Sequence, residues 1–142
     1  IKEPKDVANL LMDELRYEKR ENVKIIILNT KNVVQKVVHI ATGNISSAKV
    51  DVKQIFEETI KTGMSKFILV HNHPSGDSTP SERDIVFTKK LYSAALLFEI
   101  ELIDHIVIGN KKYTSIFSEM AKKGNDLKWV YLHLVQKILE LI

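Results

Sequence analysis

The chain contains no cysteine. This absence excludes disulfides, cysteine-type zinc fingers, iron–sulfur clusters and thiol nucleophiles, and it agrees with a reducing compartment. The sequence also lacks a secretory pattern at its N-terminus and any apolar run near the roughly 20 residues that a membrane-spanning helix needs. We therefore expect a cytoplasmic protein without a membrane partner.

The sequence contains no long segment in which charged residues of one sign are concentrated. The formal net charge is only +3, and the lysine pairs Lys89-Lys90, Lys111-Lys112 and Lys122-Lys123 are spread along the sequence without interleaved aromatic residues. Nucleic-acid-binding proteins usually cluster their basic residues on one face. The pattern therefore favours solvated surface charge and supports a nucleic-acid partner only weakly.

The composition is typical of a soluble globular domain, with 44% hydrophobic and 27% charged residues in a chain of 142. This length is enough for one domain with a hydrophobic core. The first residue is isoleucine rather than methionine, so we expect the chain to be a fragment of a longer protein.

Helical and strand periodicities alternate along the chain. In order they predict a helix over 5–17, a hairpin of strands 23–28 and 33–41, a helix over about 52–60, a strand over 66–70, a helix over 81–98, and strands over 100–108 and 113–117. Interleaved helices and strands with at least one hairpin predict the α/β class, with a mixed β-sheet flanked by helices.

The end of the chain carries a separate pattern. Residues 127–142 form one apolar stripe at helical spacing. We predict a domain over residues 1–124 and an amphipathic helical extension over 125–142. The extension is predicted to pack on its own domain or, alternatively, on a second copy as a homodimer.

The stretch from His71 to Asp84 carries the strongest chemical pattern. His71 and His73 directly follow an apolar strand, where alternate side chains point to the same side. Asp84 follows eleven residues after His73, near the start of a helix. Two imidazoles and a returning carboxylate can supply the three protein ligands of a catalytic zinc site. A competing interpretation explains Ser81 and Asp84 as a helix capping box, and the two roles are compatible.

A hydrolytic zinc site also needs a general base, commonly a glutamate outside the ligand set. Glu21 lies where the first helix gives way to a strand, whereas Glu18 is compatible with a helix surface and Glu82 with solvent exposure. Asp104 and His105 interrupt an apolar strand, so they need polar partners. One of them orients a metal ligand, or both make plain buried hydrogen bonds.

The order H-x-H, ten residues, then Asp, with Ser three residues before the Asp, resembles the JAMM motif of the MPN metalloprotease fold. The segments 71–77, 80–81 and 104–109 resemble the bacterial RadC family in particular, and the resemblance covers about residues 5–120. It implies a cytidine-deaminase-like JAMM (MPN) sandwich. It also implies a Zn²⁺ ion held by His71, His73, Asp84 and a water, with Glu21 as the catalytic glutamate and Ser81 stabilising the tetrahedral intermediate.

Related enzymes cleave peptide or isopeptide bonds, so the expected function is that of a zinc metallopeptidase with a peptide or protein substrate. The RadC group also carries a DNA-repair label. The alternative is therefore a DNA-repair-associated accessory or scaffold module with a non-catalytic metal site. Full-length RadC proteins usually carry an N-terminal helix-hairpin-helix region, which this sequence does not contain, so DNA contact is not assigned to this chain.

Overall fold

The computed structural model describes residues 1–43, 50–124, 136 and 138–141. Its elements, in chain order, are α1 (Pro4–Leu15), β1 (Asn22–Leu28), β2 (Val34–Thr42), α2 (Val52–Lys61), β3 (Lys66–Asn72), α3 (Glu82–Leu97), β4 (Glu101–Ile108), β5 (Tyr113–Ser115) and α4 (Ile116–Lys122). The α/β class and the order of elements predicted from periodicity are confirmed.

The strands form one mixed sheet in the order β2-β1-β3-β4-β5. The strand β1 is antiparallel to both β2 and β3, and α3 connects β3 to the parallel strand β4. The predicted hairpin of β1 and β2 is confirmed. Because β1 and β3 lie inside the sheet, both of their faces are covered, which explains their nearly continuous apolar sequences.

Two hydrophobic clusters lie on opposite faces of the sheet. Alternate residues of β1 separate between them: Ile25 and Ile27 join the cluster that α2, α3 and α4 cover, while Ile26 and Leu28 join the cluster under α1. This division follows from the two-residue period of a strand. The result is a sheet between two helical layers, with the carboxyl end of β3 held firmly by its neighbours.

Most predicted boundaries lie within one residue of the observed ones, and three differ by two residues. The first helix ends at Leu15 rather than at residue 17. The strand β3 continues beyond Val70 to Asn72, because its last two residues still pair with β4. The last strand ends at Ser115 rather than Phe117, so the prediction for its final two residues is wrong. The Ser115 side chain accepts a hydrogen bond from Ser118 N and caps α4, a helix that the apolar pattern did not reveal.

The predicted C-terminal helix lies almost entirely outside the described residues. Of that segment the structure describes only residue 136 and residues 138–141, of which 136 and 138–140 are helical. The predicted packing of this segment, on its own domain or on a second copy, remains a prediction. In the part of the chain that the structure describes, no helix has the length and apolar character needed to cross a bilayer.

Candidate metal centre

The end of β3 delivers the two histidines. His71 is fully buried and pairs with Val23 of β1 and Val107 of β4. His73 lies just beyond the strand, where its backbone N donates to Ile108 O at 2.9 Å. The two Nε2 atoms are 3.1 Å apart, so both rings point to one place, as the alternation of the sequence predicts.

The first turn of α3 delivers Asp84 through the predicted capping box, which the structure confirms. Ser81 Oγ accepts from Asp84 N at 3.1 Å, and Asp84 Oδ2 accepts from Ser81 N at 2.8 Å. The same carboxylate reaches both histidines, with Oδ2 3.1 Å from His73 Nε2 and Oδ1 3.4 Å from His71 Nε2. Asp84 therefore caps its helix and faces the histidines at once.

Glu21, in the segment between α1 and β1, joins the same cluster. Its Oε1 atom lies 3.5 Å from His71 Nε2 and 3.8 Å from His73 Nε2. In the described residues, one ligand atom from each of Glu21, His71, His73 and Asp84 lies within 4.8 Å of the others. Glu18 and Glu82, the other candidate bases, are exposed and lie outside this cluster.

The backbone around Glu21 is held from both sides by Asn72, which stands between the two histidines in β3. Asn72 Oδ1 accepts from Asn22 N at 2.6 Å, and Asn72 Nδ2 donates to Arg20 O at 3.0 Å. Gly43 N adds a hydrogen bond to Glu21 O at 2.7 Å. These contacts fix the chain on each side of Glu21, and sequence analysis did not identify Asn72 as part of the site.

The charges within the cluster depend on one another. The side-chain hydrogen bond to Asp84 raises the pKa of His73 above its usual value, against an opposing effect of burial. Burial alone would raise the pKa of Asp84, but hydrogen bonds from His71 and His73 outweigh it and hold that pKa well below its usual range. The carboxylate is therefore ionised at neutral pH and offers its oxygens to a cation.

The hydrogen bonds around His73 prepare it as a ligand. Its Nδ1 atom lies 2.9 Å from Asp77 O, and a carbonyl oxygen can only accept, so Nδ1 carries a proton. In the protonated ring, Nε2 donates to Asp84 Oδ2, and once that proton is released Nε2 directs an electron pair into the cluster. A donor set of two imidazoles and two carboxylates fits a divalent transition metal, and these ligand types suit zinc.

Only one of the two polar residues of β4 faces the cluster. His105 is fully buried and its Nε2 lies 2.7 Å from His71 Nδ1. Asp104 instead accepts hydrogen bonds from Ser115 Oγ at 2.7 Å and Phe117 N at 3.2 Å, and so holds the start of α4. The sequence left open whether either residue orients a metal ligand. His105 contacts the candidate ligand His71, whereas Asp104 has a structural role.

The mixed sheet, the histidine pair after β3 and the aspartate in the next helix define a JAB/MPN-type domain. Within that class, the sequence profile of the RadC-like JAB domain matches residues 1–123. The chain therefore belongs to the RadC-like JAB domain family, and the resemblance drawn from the motifs is confirmed.

Full-length relatives support the same assignment. A UPF0758 protein of Clostridium botulinum (strain Langeland) is 46% identical over 124 residues, covering 87% of this chain and 53% of that protein. A UPF0758 protein of Moorella thermoacetica is 42% identical over 116 residues, covering 82% of this chain and 51% of that protein. The chain spans about half the length of the curated relatives it matches, and their names state no activity.

Proposed function

We propose that the chain is a zinc-dependent hydrolase that cleaves peptide or isopeptide bonds through a metal-activated water. The convergence of Glu21, His71, His73 and Asp84 within 4.8 Å supports this proposal, because it combines three suitable zinc ligands with a fourth residue that is acidic. The family supports it too, since a JAB-type domain is compatible with metal-dependent hydrolysis.

The distances suggest how the roles divide. Asp84 is buried and lies 3.1 to 3.4 Å from the two histidine Nε2 atoms, so we assign it with His71 and His73 as metal ligands. Glu21 lies further away, at 3.5 and 3.8 Å, and its side chain is 14% exposed. A carboxylate beside the ligands that keeps some contact with solvent is suited to accept a proton from the attacking water.

When bound, zinc would polarise the scissile carbonyl and lower the pKa of a water molecule. Glu21 would take the proton of that water and pass it to the leaving amine. Ser81 would donate its hydroxyl proton to the developing oxyanion, because its oxygen serves the helix cap through an electron pair and its proton stays available.

The proposal is tested by separating metal binding from hydrolysis. Purified wild-type protein should bind about one zinc per chain, measured by elemental analysis, and should cleave members of a panel of quenched peptides and isopeptide-linked conjugates. His73→Ala should lose the metal and the activity, whereas His39→Ala, at an exposed histidine on β2, should keep both. A wild-type chain that binds no zinc after reconstitution would contradict the proposal.

Glu21 also distinguishes the enzyme from the alternative, an accessory or scaffold module. If Glu21 were a fourth ligand, the site would be closed to water, as structural zinc sites are. Glu21→Gln should retain zinc and lose hydrolysis if Glu21 is the base. Loss of zinc in the same variant would instead support a non-catalytic metal site.

A further inference from the structure

A chain of hydrogen bonds between buried polar side chains runs from the metal site through the core and returns to the site. His71 Nδ1 meets His105 Nε2 at 2.7 Å, and His105 Nδ1 meets Thr88 Oγ1 at 2.6 Å. Thr88 Oγ1 then lies 2.6 Å from Asp84 O, in the first turn of α3. His71, His105 and Thr88 are each 0% exposed. The chain therefore begins at one proposed metal ligand and ends at the backbone of another.

The direction of each hydrogen bond in this series follows from its last acceptor, the carbonyl oxygen of Asp84. A carbonyl oxygen can only accept a hydrogen bond, so the Thr88 hydroxyl donates its single proton to Asp84 O. Thr88 Oγ1 must then accept from His105 Nδ1, which therefore carries a proton. A second proton on His105 would bury a positive charge among neutral partners, which is unfavourable. His105 Nε2 therefore accepts, and His71 Nδ1 donates to it.

With Nδ1 holding its proton, the neutral His71 ring leaves Nε2 with an electron pair directed at the cluster. A second proton on the ring sits on Nε2 beside Asp84 and Glu21, and it is the proton that a metal replaces. We infer that Thr88 and His105 are positioning residues that hold His71 in the one tautomer able to bind the metal. The inference rests on the proposed zinc site and adds two residues to it. Neither Thr88 nor His105 would touch the metal, and both would act through His71.

The two histidines reach the same tautomer by different means. His73 is at the surface and uses a loop carbonyl, Asp77 O, whereas His71 is inside the sheet and uses side chains of β4 and α3. Because Thr88 follows Asp84 by one helical turn, its hydroxyl can donate to the Asp84 carbonyl and at the same time accept from His105 of β4. The chain thus also ties α3, which supplies Asp84, to β4.

The test compares Thr88→Val, which keeps the shape and removes the hydroxyl, with Thr88→Ser, which restores it. Long-range ¹H–¹⁵N NMR of the zinc-free wild-type protein should show protonated Nδ1 on both His71 and His105 and unprotonated Nε2 on His105. In the zinc-bound protein, His71 should keep its proton on Nδ1. Zinc affinity, measured by competition with a chelator, should fall roughly 10- to 100-fold in Thr88→Val and recover in Thr88→Ser.

A matched control removes a buried hydroxyl that serves only the fold. Ser115→Ala deletes the hydrogen bond to Asp104, next to His105 but directed away from His71, and should leave zinc affinity and the His71 tautomer unchanged. A wild-type His71 without a proton at Nδ1, or wild-type zinc affinity in a folded Thr88→Val, would overturn the inference. The wild-type spectrum decides the tautomer even if Thr88→Val does not fold. A wild-type protein without zinc affinity would overturn the proposed function instead.

Discussion

Asn72 shows how one residue can join the two halves of a site. It occupies the position between His71 and His73, and both ends of its amide hold the backbone next to Glu21. Any shift of the end of β3 therefore moves the two histidines and the proposed base together. A carboxylate that must accept a proton needs this precision, since a displacement of about 1 Å can reduce turnover by about 10²-fold.

We predict that Asn72→Ala keeps the zinc stoichiometry of the wild type and lowers hydrolysis by roughly 10- to 100-fold. Both backbone hydrogen bonds beside Glu21 are lost, while the three ligands stay. Amide hydrogen exchange at Asn22 should accelerate in the same variant. Asn29→Ala is the control, because Asn29 Oδ1 likewise accepts from two backbone N–H groups, those of Lys31 and Val33, but in the distant β1–β2 turn.

An unchanged turnover in Asn72→Ala would mean that the Gly43 hydrogen bond to Glu21 O suffices to hold the base. Loss of zinc in that variant would mean that Asn72 supports the ligands rather than the base. Neither result is expected, because the side-chain hydrogen bonds of Asn72 go to Asn22 N and Arg20 O, which flank Glu21.

At the scale of elements, the first turn of α3 combines stability with the site. Ser81 and Asp84 satisfy each other's backbone N–H groups, which would otherwise lack partners at a helix start. The Asp84 carboxylate has two oxygens with several electron pairs, so the cap and the histidines share it. The sequence interpretations of this pair as a cap and as a metal-site segment therefore do not compete.

We predict that Ser81→Ala lowers the free energy of unfolding by about 1 kcal/mol, the usual value for a lost helix cap. It should also lower hydrolysis, because the proposed oxyanion donor is removed, while zinc stays bound. Asp51→Ala is the matched control, since Asp51 caps α2 in the same way by accepting from Gln54 N. Urea unfolding and turnover should show similar destabilisation in both variants and lower turnover only in Ser81→Ala.

Equal turnover in Ser81→Ala and Asp51→Ala would remove Ser81 from the proposed catalytic group and leave it with the cap alone.

Element positions were largely predictable because each depends on local spacing. The α1 helix follows from a period of 3.6, the central strands from short continuous apolar runs, and the α3 cap from a spacing of three residues. The β5–α4 boundary was missed because the apolar pattern of Ile116 and Phe117 fits a strand as well as a helix. Only the packing of α4 under β4, with Ser115 bonded to Asp104, favours the helix.

At the scale of the whole molecule, the proposed zinc ligands come from the end of β3 and from α3, and Glu21 comes from the segment between α1 and β1. Zinc should therefore bind the folded chain far better than the unfolded chain. The two hydrophobic clusters lie on the faces of the sheet and include none of the proposed metal ligands. We expect the metal-free protein to remain folded and to gain stability on binding.

We predict that zinc raises the unfolding temperature, with a stabilisation of about 4 kcal/mol when free zinc is 1,000 times the dissociation constant. Scanning calorimetry with added zinc and with a chelator measures the shift. His73→Ala should show no such shift, while His39→Ala should behave like the wild type. A zinc-free wild-type protein that is unfolded would show instead that the metal is needed for the fold itself.

The sequence by itself determined the elements, the cap of α3 and the pair of histidines on one side of a strand end. These features depend on residues two to four positions apart, whose geometry the local backbone sets. Only the tertiary structure decided which glutamate lies beside the histidines and which buried side chain is hydrogen-bonded to His71. The Asn72 contact to Asn22 spans 50 residues and the His71 contact to His105 spans 34. Strand pairing creates such contacts, and local spacing does not encode them.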